Sequence, residues 1–367
     1  MRIAIVLNTS WNIYNFRLGL VRSLINEGHE IIAVAPYDEY SSKLKEIGCR
    51  YEKVTMDSRG ANPIKDFGLT IELFRIYKRI KPDVILHFTI KPNIYGTFAA
   101  RLLGIPTINN VCGLGTVFLN RGVVSFVAKM MYKVAFRFPA KVLFQNDQDK
   151  KLFIDEKLIK KNRAELIPGS GIDLSKFVPA ALPHNKEFTF LLISRLIHDK
   201  GIVEYIEAIK KLKSKGIKAK FQILGAIDEE HRRGIPAHII NSWIENNLIE
   251  YQGRVPDVRN YIKNADCIVL PSYREGTPRT LLEAAGMGRP IVTTNVAGCN
   301  NVVRDNYNGL LCDLKDVDDL ADKMLKMFNL SFKDRQAFGM NGRDLVEGSY
   351  DENVVIDKYQ ELVNNVA

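Results

Sequence analysis

The sequence has only five cysteines, at positions 49, 112, 267, 299 and 312, with neither CxxC spacing nor a paired framework. That pattern argues against a disulfide scaffold and reads as free thiols in a reducing, cytoplasmic setting. It has no run of about 18 uncharged apolar residues, so no segment is expected to span a bilayer. The N-terminal stretch Arg2-Ile3-Ala4-Ile5-Val6-Leu7 is strand-like and lacks a signal-peptide layout. Internal repeats and low-complexity tracts are missing as well. The loop after the first strand-like run contains no GxGxxG, which argues against a dinucleotide-binding dehydrogenase.

What is there is 367 residues, 46% apolar and 26% charged. That is a globular composition, too long for one ordinary core and suited to two domains of roughly 180 residues each. The net charge of +10 is unevenly spread: residues 1–180 hold 27 Lys+Arg against 16 Asp+Glu, whereas residues 181–367 hold 25 against 26. No nucleic-acid-binding module accompanies the basic half, so nucleic acid is not an expected partner. An anionic membrane surface or a polyanionic acceptor suits it better.

Short apolar strands alternate with amphipathic helices almost throughout, the pattern of parallel sheets covered on both faces. Strands are expected at 2–7, 30–35, 83–87, 106–111, 141–145 and 165–167, with helices at 16–27, 66–79, 94–103 and 123–137. A Gly/Pro-rich passage then leads to a linker placed near 178–187. The alternation restarts with strands at 188–194, 219–224, 249–251, 266–270 and 290–293. The helices of this half are expected at 201–215, 236–247, 256–263, 278–287 and 317–328. The expected division is 1–180, 181–350, and a last helix within 351–367 that crosses back to the first domain. The fold class is α/β, two doubly wound Rossmann-like domains whose sheets present their C-terminal ends to a cleft, where ligands bind in such folds.

Strand 188–194 runs into Ser194-Arg195-Leu196-Ile197-His198-Asp199-Lys200-Gly201. Two cations five residues apart at a strand end suit a diphosphate, Arg195 forking two oxygens and Lys200 acting as a point charge. Strand 266–270 leads into Pro271-Ser272-Tyr273-Arg274-Glu275-Gly276-Thr277-Pro278-Arg279-Thr280-Leu281-Leu282-Glu283. Pro278 suits the first position of a helix, leaving the amides of Gly276 and Thr277 at its positive end. Glu283 lies about a turn and a half into that helix among Leu281, Leu282, Ala284 and Ala285, where a buried carboxylate needs a partner.

Glu275 to Glu283 resembles the EX7E motif of retaining GT-B glycosyltransferases of family 4, and Arg195 and Lys200 resemble that family's donor-phosphate pair. The resemblance covers essentially the whole chain. It implies that Glu275 contacts the donor sugar, that Glu283 takes the ribose hydroxyls, and that Arg195 and Lys200 neutralise the diphosphate. Gly253-Arg254-Val255-Pro256-Asp257 is similar to the loop that holds the base through its backbone. A UDP-sugar donor and no metal cofactor are implied.

In the first half, Asn8 to Arg17 follows the first strand, with Arg17 opening a helix, either reaching a diphosphate or lying solvated. Phe88 to Gly96 places Lys91 at the cleft rim. Asn110-Val111-Cys112-Gly113-Leu114-Gly115-Thr116 ends another strand in a polar loop. These loops resemble the subgroup that extends lipid-linked oligosaccharides, including bacterial transferases adding an N-acetylated hexosamine to undecaprenyl-diphosphate sugars. The acceptor implied is polyprenyl-diphosphate-linked. Many members carry His immediately before the glycine matching Gly113; Cys112 stands there, so no catalytic His is assigned, and a thiol's weak hydrogen bonding suits a 6-deoxy donor sugar. His87 is read as a packed histidine.

Helix 123–137 carries Lys129, Lys133 and Arg137 beside Phe126, Val127, Met130, Met131 and Val134, which fits either an interfacial helix or a core-facing one. The basic half favours membrane contact, peripheral on the inner face of the cell membrane. Asp147-Gln148-Asp149 spells DxD, yet it follows Asn146 and opens a helix, so a capped acidic first turn accounts for it, as for Asp316-Val317-Asp318. The rival functions are a nucleotide-sugar 2-epimerase and a non-catalytic sugar-nucleotide binding protein.

Overall fold

The apolar run after Met1 forms strand β1 (Arg2–Val6), whose alternate residues enter two different cores. Ile3 and Ile5 pack on one face with Leu20 and Leu24, whereas Ala4 and Val6 pack on the other with Leu69, Leu73 and Tyr77. A strand buried on both faces needs such continuous apolar sequence, which is why these strands do not alternate with polar residues. The structure, a computed structural model, describes residues 1–57, 63–114, 122–184 and 186–366. The chain divides into Met1–Ser170 with Glu352–Ala367, and Gly171–Asp351.

In the first unit, β2 (Glu30–Ala35), β3 (Arg50–Lys53), β4 (Val84–Phe88), β5 (Thr107–Val111), β6 (Lys141–Phe144) and β7 (Ala164–Leu166) join β1 in a sheet ordered β3-β2-β1-β4-β5-β6-β7. Every pairing in it is parallel. The last helix, Glu352–Val366, belongs to this unit: Val355, Tyr359, Leu362 and Val363 enter the same core as Leu20 and Leu24. Lys358 on that helix pairs with Glu165 at 2.9 Å.

The second unit holds β8 (Phe188–Ile193), β9 (Ala219–Leu224), β10 (Glu250–Tyr251), β11 (Cys267–Leu270), β12 (Ile291–Thr294) and β13 (Gly309–Cys312), ordered β10-β9-β8-β11-β12-β13 and all parallel.

The boundary falls at 170/171 rather than 180/181. The Ile172 amide donates to Tyr350 O at 2.8 Å, Phe177 enters the core of the second unit with Leu281, and the Ala180 amide donates to Met287 O at 3.3 Å. The expected linker is held down too. Buried Arg289 donates to the carbonyls of Ala180 and Ala181 at 2.8 and 2.9 Å. By the prolines of that linker the chain has already joined the second unit.

The first helix also differs from expectation. It spans Ser10–Asn26, because the Thr9 side chain accepts from the Asn12 amide at 3.1 Å and caps it early. Arg17 therefore lies two turns inside the helix and does not open it.

Candidate active site

The strand order of the second unit reverses between β8 and β11, so the loops after these two strands flank its topological switch point. Those loops carry the two motifs. They are tied together by backbone, the Tyr273 amide donating to Asp199 O at 2.9 Å, and by the Thr280 hydroxyl donating to Ile193 O at 3.1 Å. Lys200 forms an ion pair with Glu275, and the Ser272 hydroxyl donates to the same carboxylate oxygen at 2.7 Å. The Tyr273 hydroxyl donates to Glu204 at 2.6 Å. Gly201 makes this approach possible: its φ is +69°, and a Cβ there would lie 2.0 Å from Pro271 O.

Arg195 stands in the same loop with its side chain largely exposed, 3.9 Å from Asp228. The helix after β11 spans Arg279–Gly286, so Pro278 is its N-cap and not its first residue, with Gly276 and Thr277 immediately before. Glu283 is ion-paired with Arg279 one turn back at 3.0 Å, its side chain 13% exposed. Burial pushes its carboxyl above the usual range, opposed by Arg279. Arg279 is the partner that a buried Glu283 required, and its i,i+4 spacing was readable in the sequence. Gly298, after β12, is a contributor that sequence reading missed: its φ is +85°, and a Cβ would meet Glu275 O at 2.6 Å. The Glu275 amide donates to Ala297 O at 3.0 Å, so this loop backs the carboxylate. Arg254 and Val255 follow β10, Arg254 exposed and Val255 packed at the edge of the core. The neighbouring Gly253 carbonyl accepts from the Gly225 amide at 2.9 Å.

In the first unit the order reverses between β1 and β4. Arg17 lies there, 5% exposed, its guanidinium carbon 4.6 Å from the centre of the Phe88 ring. Its Nη2 donates to Cys112 Sγ at 3.9 Å. It is neither solvated nor at a helix start. Cys112 Sγ donates to Asn110 Oδ1 at 3.2 Å, and Asn110 Nδ2 donates to the hydroxyl of buried Tyr359 at 2.7 Å. Asn110, Cys112 and Arg17 thus form one cluster, and Gly113 follows directly with a φ of +120°. Gly115 and Thr116 lie outside the described residues. Lys91 is not a free rim cation: it pairs at 2.6 Å with buried Asp66, which also accepts from Tyr95. The pair lines a cavity of about 820 Å³ shared with Thr55 and Glu72. His87 is fully buried between the Tyr77 hydroxyl and Asn109, at 3.0 and 3.2 Å. Burial pushes its pKa down to about 3.

Asn146 caps the helix Asp147–Asp155 by accepting from the Asp149 amide at 2.7 Å, so the DxD triplet is a helix start. Among the described residues no group of three or more His, Cys, Asp or Glu is placed to hold a metal ion. In the helix Val123–Ala135, Tyr132 and Ala135 are buried while Phe126, Val127, Met130 and Val134 are exposed, Phe126 at 66%. The helix thus faces the core on one side and presents a second apolar strip outward. No helix among the described residues is long and apolar enough to cross a membrane.

Two parallel doubly wound units, one carrying a Lys-Glu pair with an Arg and a second Glu around its switch point, define a glycosyltransferase of the GT-B class. The chain belongs to glycosyltransferase family 4: residues 176–345 match the model described as glycosyl transferases group 1, and residues 2–146 match glycosyl transferase 4-like. It is 29% identical to the Campylobacter jejuni N,N'-diacetylbacillosaminyl-diphospho-undecaprenol alpha-1,3-N-acetylgalactosaminyltransferase, over 100% of this chain and 99% of that one. It is 28% identical to an Escherichia coli UDP-Gal:alpha-D-GlcNAc-diphosphoundecaprenol alpha-1,3-galactosyltransferase, over 79% of each. Among solved structures, a glycosyltransferase from Rickettsia africae superposes with a TM-score of 0.81 at 19% identity, covering 100% of this chain and 98% of that one. The Anabaena HepE protein solved with UDP-glucose gives 0.81 at 16% identity, covering 100% of each chain.

Proposed function

We propose that the chain moves an N-acetylated hexosamine, or its 6-deoxy form, from a UDP-sugar to a polyprenyl-diphosphate-linked acceptor in surface polysaccharide or glycan assembly. The observation that carries this reading is the Lys200–Glu275 pair fixed at the switch point of the second unit, with Arg195 in the same loop. The two relatives named above, both acting on diphosphoundecaprenol-linked sugars, support the acceptor class.

The second unit takes the donor. Arg195 and Lys200 meet the diphosphate, with the amides of Gly276 and Thr277 beside the helix start Arg279. Glu283 receives the ribose hydroxyls, and the backbone around Arg254 and Val255 receives the base. The first unit takes the acceptor, through Arg17, Lys91, Asn110, Cys112 and Gly113. As the bond from anomeric carbon to diphosphate breaks, negative charge grows on the β-phosphate, where a fixed cation stabilises the transition state more than the ground state. Lys200 is that cation, and Glu275 orients it and the sugar. The acceptor hydroxyl attacks on the face the phosphate leaves, and the departing phosphate oxygen takes its proton. The anomeric configuration is retained, without a metal.

The protein works as a peripheral enzyme on an anionic membrane surface at the inner face of the cell membrane. Support comes from the outward apolar strip at Phe126, Val127, Met130 and Val134, close to Lys133 and Arg137. The reading is tested by proton NMR of the product formed from an α-linked UDP-sugar in excess EDTA. An α-linked product at an undiminished rate is expected. A β-linked product contradicts retention, and loss of activity restored by a divalent cation contradicts metal independence.

A further inference from the structure

Arg17 is nearly fully buried, yet among the described residues it makes no ion pair. Its polar contacts are long, 3.4 Å to the Phe16 carbonyl and 3.9 Å to Cys112 Sγ, and its Nε has no partner among the described residues. A buried guanidinium without a counter-charge is costly, and native proteins rarely retain one without an anion to meet it. Two further buried atoms without partners stand at the same switch point. Asn8 Oδ1 follows β1, and Thr89 Oγ1 follows β4. Val6 pairs with His87 as the last rung of the β1–β4 ladder, Asn8 and Thr89 each follow two residues beyond that rung, and Phe88 under the Arg17 guanidinium immediately precedes Thr89. Thr89 itself has a φ of +65°, a left-handed conformation that a β-branched residue adopts only under constraint. Backbone strain and orphaned polar groups gathered at a switch point are the marks of a ligand seat.

We infer that Arg17, with Asn8 and Thr89 beside it, forms a second phosphate-binding seat within the first unit, one that takes a diphosphate group. Arg17 supplies the planar donors that match phosphate oxygens, the Thr89 hydroxyl donates to an oxygen or accepts, and Asn8 Oδ1 accepts from a hydroxyl of the attached sugar. Assignment of the diphosphate to the acceptor rests on the proposed function above. The seat itself does not, since a donor diphosphate has the same chemistry.

Cys112, beside Arg17, reports on the seat, because the other four cysteines are buried. The probe is inorganic pyrophosphate, and the readout is the rate at which Cys112 is alkylated by iodoacetamide, followed by mass spectrometry. Lys200→Met is included to remove the cation of the second unit. Pyrophosphate is expected to slow alkylation in the wild type and in Lys200→Met at the same concentration. In Arg17→Gln that concentration must rise at least about tenfold, the weight of one charge-assisted hydrogen bond. Arg17→Lys keeps the charge, loses the fork, and falls between; it also serves if the glutamine variant does not fold. Equal protection in the wild type and both Arg17 variants, or no protection in any, overturns the seat. Steady-state kinetics then separate the sources. A raised KM for a diphosphate-linked acceptor with an unchanged KM for the UDP-sugar assigns the seat to the acceptor, and the reverse assigns it to the donor. Should no lipid-linked acceptor be used at all, the proposed function fails while the alkylation result still decides the seat.

Discussion

At the scale of single residues, chemistry rests on side chains whose partners fix them. Lys200 is held by Glu275, and Glu275 in turn by the Ser272 hydroxyl and by the hydrogen bond that its backbone amide donates to Ala297 O. In the reaction proposed above, a cation so held costs little reorganisation when charge develops on the leaving phosphate. Lys200→Met is expected to lower turnover by about 10²-fold or more, with a smaller change in donor KM. Unchanged steady-state constants contradict the role. His87 does different work. Its imidazole is neutral in the folded unit, with a pKa near 3, while the unfolded chain takes up a proton below about 6.5. Stability from this residue is present above pH 6.5 and is lost as pH falls toward 3, by up to about 1.4 kcal/mol per pH unit. Thermal midpoints measured from pH 7 to pH 4 should fall more steeply in the wild type than in His87→Gln; parallel curves contradict this.

At the scale of elements, the strands were legible because a doubly covered parallel strand has to be apolar along its length. Strands β1, β2, β4, β5, β8, β9 and β11 stand within a residue or so of the positions read from sequence. Strand β3, Arg-Tyr-Glu-Lys at the sheet edge, was not, since it is largely solvated and carries no such run, and β13, Gly-Leu-Leu-Cys, was missed because its buried run is only four residues long. The helix Ser10–Asn26 was read six residues short because Ser10, Asn12 and Asn15 break its apolar period, and that hid the burial of Arg17. The motif loops were legible as residues but not as a joined site. Only the strand order puts the loops after β8 and β11 side by side, and only the structure reveals Gly298 behind Glu275. Gly201 is the hinge of that juxtaposition. Gly201→Ala forces a Cβ into Pro271 O at a left-handed φ and should lower stability on the order of 2–3 kcal/mol. A melting midpoint within a degree or so of the wild type's would show that the loops can part without cost.

For the molecule as a whole, charge and family membership say more than composition does. The first unit, counted with its returning C-terminal helix, holds 27 Lys+Arg against 18 Asp+Glu; the second holds 25 against 24. The basic excess and the outward apolar strip of Val123–Ala135 lie in the same unit, which suits attraction to anionic lipid followed by shallow insertion. The protein should sediment with anionic liposomes at low salt, dissociate as salt rises, and bind weakly as Phe126→Asp. No sedimentation at low salt, or an unaffected variant, contradicts membrane contact. The central claim, a UDP-sugar emptied by Lys200 onto a diphosphate-linked lipid, is tested most directly by incubating the pure protein with a panel of labelled UDP-sugars and a polyprenyl-diphosphate-linked sugar. Label is predicted to enter the lipid fraction from one UDP-sugar with the wild-type protein and to drop by about 10²-fold with Lys200→Met; label that stays in the aqueous fraction with every donor, or that transfers equally well without Lys200, would contradict it.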